Sequence, residues 1–167
     1  LSFITQAVNR LSSSVEAMFK ELTQKAEQYR IQAYEDSLTG TQNRSAFSRH
    51  MTALLSKTAT SDEGYVILIR LAQLNAINIT LGAQEGDNYV ISVANELKSF
   101  TSSIQETAFL FRVSGADFVL VTEAMTKQDC EARLQELSTS LSHCNPIKDG
   151  SKAVWIGAAQ FNDEQSF

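Results

Sequence analysis

Proline is almost missing from these 167 residues; Pro146 is the only one. Glycine is scarce too, at seven, and residues 1–39 hold neither, so nothing in that stretch breaks a helix. The two cysteines, Cys130 and Cys144, fit no metal-ligand spacing and make no disulfide framework; both read as reduced and packed. His50 and His143 have no companion His or Cys at metal spacing, which leaves them surface or capping roles. No apolar run approaches the roughly 18 residues of a membrane span. Clusters of Lys and Arg are absent and the formal net charge is −5, which argues against a nucleic-acid partner, because phosphate binding needs grouped cations. What remains is a 43% apolar chain, enough for one globular domain with its own core. It opens on Leu1 with no signal peptide, so we expect a piece of a longer protein.

Within the uninterrupted first stretch, Ile4, Val8, Leu11, Val15, Met18, Leu22 and Tyr29 recur at alternating steps of four and three, broken only at Lys25. This is a heptad seam, and it predicts a coiled-coil stalk over residues 1–35. Parallel pairing, antiparallel pairing and a helix folded back on its own domain all fit the pattern. A helix of that length spans on the order of 50 Å, at about 1.5 Å per residue, and could carry a mechanical signal. It is expected to end near Ser37-Leu38-Thr39-Gly40.

Beyond it the pattern predicts a helix over 44–57 burying Phe47, Met51, Leu54 and Leu55, then a loop at "TATSDEG". "YVILIRL" reads as a central strand covered on both faces. Short and longer helices follow over 74–81 and 86–100, the second burying Tyr89, Val90, Val93 and Leu97. "LFRVSGADFVLV" is a hairpin around Ser114-Gly115. Thr126 and Asp129 form a capping box that opens a helix through Leu134, Leu137 and Leu141, and "AVWIGAAQF" is a last strand. The order gives an α/β (α+β) domain with a split βαβ character and an antiparallel hairpin.

Three segments together resemble the GGDEF family, the diguanylate cyclases that join two GTP molecules into cyclic di-GMP. "DSLTGTQNRSAF" is similar to the family's opening signature at Asp36, Leu38, Thr39, Gly40, Asn43, Arg44 and Phe47, departing at Thr41 and Ser45. "LIRLAQLNAINITLGAQEGD" lines up with its strand-to-helix segment at Ile77, Asn78, Gly82, Gly86 and Asp87. "RVSGADF" sits where the family has Arg-x-Gly-Gly-Asp/Glu-Glu-Phe, keeping Arg112, Gly115 and Phe118. The resemblance covers residues 36–161 and implies a nucleotide-cyclase-like domain over 36–167, with a central, mostly antiparallel five-stranded sheet flanked by helices. The family's final helix is expected to be lacking.

The departures fall on the chemistry. Phosphoryl transfer of this kind needs divalent metal to neutralise the triphosphate, and the resemblance places its ligands at Arg70 and in the turn Ser114, Gly115, Ala116, Asp117, Phe118. A guanidinium has no acceptor atom and repels Mg²⁺. Ala116 can neither accept a proton nor stabilise charge. Asp117 keeps an acid one methylene short, and Ser114 adds a Cβ where nucleotide would lie close to the backbone. The stretch Gln105–Ala108, "QETA", has lost the family's Arg-x-x-Asp product-inhibition motif. The resemblance therefore implies a degenerate domain with no catalytic residue, metal or cofactor, in which Arg70 pairs with Asp117 across the lost metal position. Asn78 and Asp87 match the positions that read guanine, so they are either vestigial guanine contacts or caps of the flanking helix and loop.

The stalk followed by "YEDSLTG" resembles a HAMP exit helix running into a degenerate GGDEF domain, as in LapD-like receptors of HAMP–GGDEF–EAL architecture. That likeness implies the cytoplasmic portion of an inner-membrane protein that dimerises through its N-terminal helix. It also implies a C-terminal EAL domain that binds cyclic di-GMP, and indirectly a periplasmic protease under its control. The alternative is a GTP-binding domain that tunes a neighbouring EAL phosphodiesterase.

Overall fold

At the middle of the fold, β2 (Gly64–Leu71) pairs antiparallel on both sides, with β4 (Asp117–Thr122) and with β5 (Val154–Phe161). The computed structural model describes residues 2–56, 64–104, 107–147 and 150–161. Its other elements are α1 (Ser2–Tyr34), β1 (Gln42–Asn43), α2 (Arg44–Ser56), α3 (Leu74–Leu81), α4 (Ala83–Ser103), β3 (Ala108–Arg112) and α5 (Lys127–Leu141). A single 3-10 turn, Ser142–Cys144, follows α5. The sheet order is β1-β3-β4-β2-β5, antiparallel except where β1 runs parallel to β3. The expected mostly antiparallel five-stranded sheet is therefore present.

Alternation along the strands divides the side chains between two layers. One face presents Tyr65, Ile67, Ile69, Leu71, Phe118 and Leu120 to a core closed by α3, α4 and α5. The expected stripe on α4, Tyr89, Val90, Val93 and Leu97, is buried there, each aliphatic side chain contributing roughly 1.5–3 kcal/mol by burial. Thr126 caps α5 as its spacing predicts, with its Oγ1 accepting from Asp129 N–H at 3.2 Å. The other face is covered only in part. There α2 lays Ala46, Phe47, Met51 and Leu54 over Phe109, Phe111, Val119 and Val121, with Val66 and Phe161 at the margin of the cluster, while Leu68 is 41% and Trp155 56% exposed. This corrects the reading of "YVILIRL" as a strand covered on both faces: on this side the cover under α2 takes in Val66 but not Leu68. Leu55, expected in the core, turns to solvent.

Further differences are local. The strand β1 is two residues long and went unseen in the pattern. His50 is neither surface nor cap; it packs on Phe109 with ring centroids 4.2 Å apart and lies 3.9 Å from Glu123. His143 is exposed, Cys130 is buried, Cys144 is half-buried, and both thiols are free. Helix α1 stops at Tyr34, before the expected Ser37, and none of its residues is buried. A helix folded back on its own domain is thereby set aside, and the seam residues Ile4, Val8, Leu11, Val15, Met18, Leu22 and Tyr29 all face solvent. The loop expected at "TATSDEG" falls outside the described residues except for Gly64, which opens β2; Gln105, Glu106 and the stretch 162–167 lie outside them too.

Candidate functional site

Two neighbouring constellations, one of residues that match the family signature and one of residues that depart from it, are joined by Arg112. The first is the turn after α1. Asp36 Oδ1 accepts from Thr39 N–H at 2.9 Å and from Thr39 Oγ1–H at 2.7 Å, while Gly40, with φ +63°, donates its N–H to Asp36 O. Gly40 is glycine for a reason, since that left-handed turn strains any side chain. Lys98 reaches from α4 to Thr39 O at 2.6 Å. Asn43 serves two helices at once. Its Nδ2 donates to Ala33 O at the end of α1 and its Oδ1 accepts from Ala46 N–H at the start of α2, satisfying backbone groups that helix ends leave open.

Arg112, 10% exposed, leaves β3 and bridges this turn to the hairpin. Its Nη1 donates to Asp36 Oδ1 at 2.9 Å and its Nη2 to Gly115 O at 2.8 Å. Burial raises the Asp36 pKa, but the bonds from Thr39 and Arg112 outweigh it and hold the carboxyl below its usual range. Sequence reasoning named Asp36 and Arg112 as matches without seeing that they meet. The signal available was their chemistry, an acid and a base both expected at strand and helix ends.

The second constellation is the end of β2 with the hairpin turn. Antiparallel register sets Arg70 opposite Asp117, and the two form a forked pair, Nε to Oδ1 at 2.6 Å and Nη2 to Oδ2 at 3.1 Å. The Arg70 hydrogen bond, helped by one from Ser114, outweighs burial and holds Asp117 below the usual carboxylate range. The expected pairing of Arg70 with Asp117 is thus formed. Ser114 does more than crowd the turn: its hydroxyl donates to Asp117 Oδ2 at 2.8 Å, a contact the sequence reading missed. Ala116 turns its methyl against the main core and gives its carbonyl to Leu71 N–H at 2.8 Å. Gly115 has open space where a Cβ would stand. Phe118 is fully buried.

These residues do not fit the divalent metal the family's reaction uses. Both Asp117 oxygens already accept hydrogen bonds, Ala116 offers no ligand, and the remaining charge beside them is the Arg70 cation. Among the described residues no group of three or more His, Cys, Asp and Glu could hold a metal ion.

Asn78 and Asp87 stand apart from the caps. Asn78 lies inside α3 and Asp87 inside α4, both exposed, so neither caps a helix. The residues at those N-caps are Gln73 and Gly82, which make no side-chain capping bond. A Cβ on Gly86 would lie 1.8 Å from Asn78 Oδ1. The bare glycine therefore lets the amide lie against α4 one residue before Asp87.

DgcJ of Escherichia coli K12, described as a probable diguanylate cyclase, is 29% identical over 129 residues, covering 77% of this chain and 25% of that protein. The chain thus spans about a quarter of that relative's length. Among solved structures, the coiled coil and GGDEF domain of DgcB from Caulobacter crescentus, in complex with c-di-GMP, superposes with TM-score 0.80 at 22% identity, over 94% of this chain and 84% of that one. The S helix-GGDEF-EAL region of Vibrio cholerae LapD, bound to c-di-GMP, superposes with TM-score 0.70 at 22% identity, over 84% of this chain and 32% of that one. At such identity these two likenesses establish the fold alone. The family profile described as diguanylate cyclase, GGDEF domain, matches residues 33–166, and the chain belongs to that family.

Proposed function

We propose that this is a catalytically silent GGDEF domain that relays, autoinhibits and dimerises within a membrane-bound cyclic di-GMP receptor of LapD-like design, one that controls biofilm adhesion. The observation that carries the reading is the Arg70–Asp117 fork. It puts a cation and its counter-ion where the family's resemblance puts metal ligands. Ala116 supports it, since a methyl packed on the core supplies no acid. In this reading α1 is the input: its exposed seam pairs with a second copy, and its end is tied through Asp36 and Arg112 to the hairpin turn. The domain then hands a change in α1 to an EAL domain of the same chain, whose cyclic di-GMP state governs a periplasmic protease. The protein works at the cytoplasmic side of the inner membrane. Incubation with GTP and Mg²⁺ or Mn²⁺, read by mass spectrometry, is expected to give no cyclic di-GMP; metal-dependent product overturns the proposal.

One observation favours a second reading, a GTP-binding domain that regulates a neighbouring EAL phosphodiesterase. Asn78 and Asp87 are exposed, Asn78 Oδ1 lies against Gly86 one residue before Asp87, and among the described residues neither caps a helix. Titration calorimetry separates the two: guanine-specific micromolar binding selects the second reading, and no heat selects the first.

A further inference from the structure

We propose that Arg49 is a positioning residue whose stack on Tyr34 fixes the direction in which α1 leaves the domain. With α1 read as the input, Arg49 thereby sets how two paired domains stand to one another, a consequence that rests on that reading. The polar bonds at the exit gather around one point. Glu35 N–H donates to Ile31 O at 2.9 Å and Asp36 N–H to Thr41 O at 2.8 Å. Asn43 Nδ2 donates to Ala33 O at 3.0 Å and to Glu35 O at 3.3 Å, and Glu35 and Gln42 add a single antiparallel bridge. Bonds clustered at the end of a rod stop it sliding away but resist tilt weakly, because each acts through a short lever arm. On the far side of that pivot lie the 33 residues of α1, about 50 Å at the helical rise.

Tyr34 is the side chain of α1 that meets the body of the domain away from the pivot. It is half-buried and packs against the smaller core cluster under α2. The Arg49 guanidinium carbon lies over its ring, 4.0 Å from the centroid, where the negative face of the π system attracts the cation. Arg49 stands on a fixed element. Ala46, on the same helix, is 3% exposed, and Phe47 meets Phe111 edge-on with ring centroids 5.4 Å apart, so α2 cannot follow a tilt of α1 without breaking its own packing. Guanidinium suits the task because it is more weakly hydrated than an ammonium and loses less on leaving water for an aromatic face. A single such contact is small against the stability of a domain, yet placed off the pivot it decides an angle.

The test is residual dipolar coupling of amides in the weakly aligned full chain. In the parent, residues 28–34 of α1 and the residues of α4 are expected to fit one alignment tensor. Arg49→Ala should reduce the couplings of residues 28–34 about twofold, as a helix end gains motion relative to the domain, and leave those of α4 in place. Arg49 is exposed, so Tm should change little. Tyr34→Phe keeps the ring and should behave as the parent. Tyr34→Leu removes it and should match Arg49→Ala, and the two substitutions together should add nothing to either alone. Residues 28–34 that already need their own tensor in the parent overturn the proposal, as does Arg49→Ala that fits like the parent, or additive effects in the double variant. A lowered Tm with the direction of α1 unchanged assigns the contact to stability alone and overturns it too. Light scattering on the same samples keeps the two readings apart: a monomer with one tensor removes the pairing and leaves the role of Arg49, and a dimer with a loosely held α1 does the reverse.

Discussion

At the turn after α1, Asp36, Thr39, Asn43 and Arg112 match the family signature, and each is engaged inside the protein. At the end of β2 the positions to which the resemblance assigns the family's chemistry hold Arg70, Ser114, Ala116 and Asp117, and these too are engaged, chiefly with one another. The first group makes the same kind of bonds whether or not a reaction follows, since its partners are backbone carbonyls, helix ends and a buried guanidinium. The second has become self-sufficient: the fork between Arg70 and Asp117 and the Ser114 hydroxyl satisfy the acid without an ion. The contrast teaches that the scaffold and the chemistry of this domain are separable, because no hydrogen bond of the first group passes through Arg70.

The contrast breaks most severely at Arg112. Arg112→Ala leaves Asp36 without its counter-ion and Gly115 O without its donor, and should cost about 3 kcal/mol in chemical denaturation. An equal cost from Arg70→Ala would erase the distinction. Asn43→Ala removes the link between α1 and α2 and should cost about 1–2 kcal/mol, read in the same experiment. On the stalk, light scattering should give a dimer for the whole chain and a monomer for residues 35–167; a monomer in both would separate α1 from dimerisation. Acid titration sharpens the pairing in both regions. Asp36 and Asp117 are held below their unfolded values, so their stabilisation is complete above the ordinary carboxylate range and is lost as pH falls through the depressed values. Asp36→Asn should flatten the loss of Tm below about pH 4, the region of unperturbed carboxylates. The smallest effect is expected for Arg70→Ala, whose side chain is 60% exposed: a slight fall in Tm and no gain of cyclase activity.

Much of this arrangement was legible in the residues. Periodicity marks α1, α4 and α5 because their apolar faces are long, and the hairpin is marked by Ser114-Gly115 between apolar runs. The Arg70–Asp117 fork followed from alignment, since two strands of one sheet bring those positions together. The misses have physical causes. A two-residue strand such as β1 has no period to detect. An unbroken apolar run hides the fact that Leu68 faces outward, because burial on that side depends on which residues lie under α2. His50 is polar by type, yet in the fold it packs against the tilted rings of Phe109 and Phe111. Of the two alternatives for Asn78 and Asp87, capping a helix is set aside because both lie a turn inside their helices, where no open N–H is in reach.

Catalytic silence in this domain requires that the Arg70–Asp117 pair exclude a divalent ion. Amide resonances of Arg70, Asp117 and their neighbours, followed while Mn²⁺ is added with a non-hydrolysable GTP analogue, test it directly. We predict no paramagnetic broadening centred on the β2–β4 end. Broadening localised there, and reversed by excess Mg²⁺, would contradict the account.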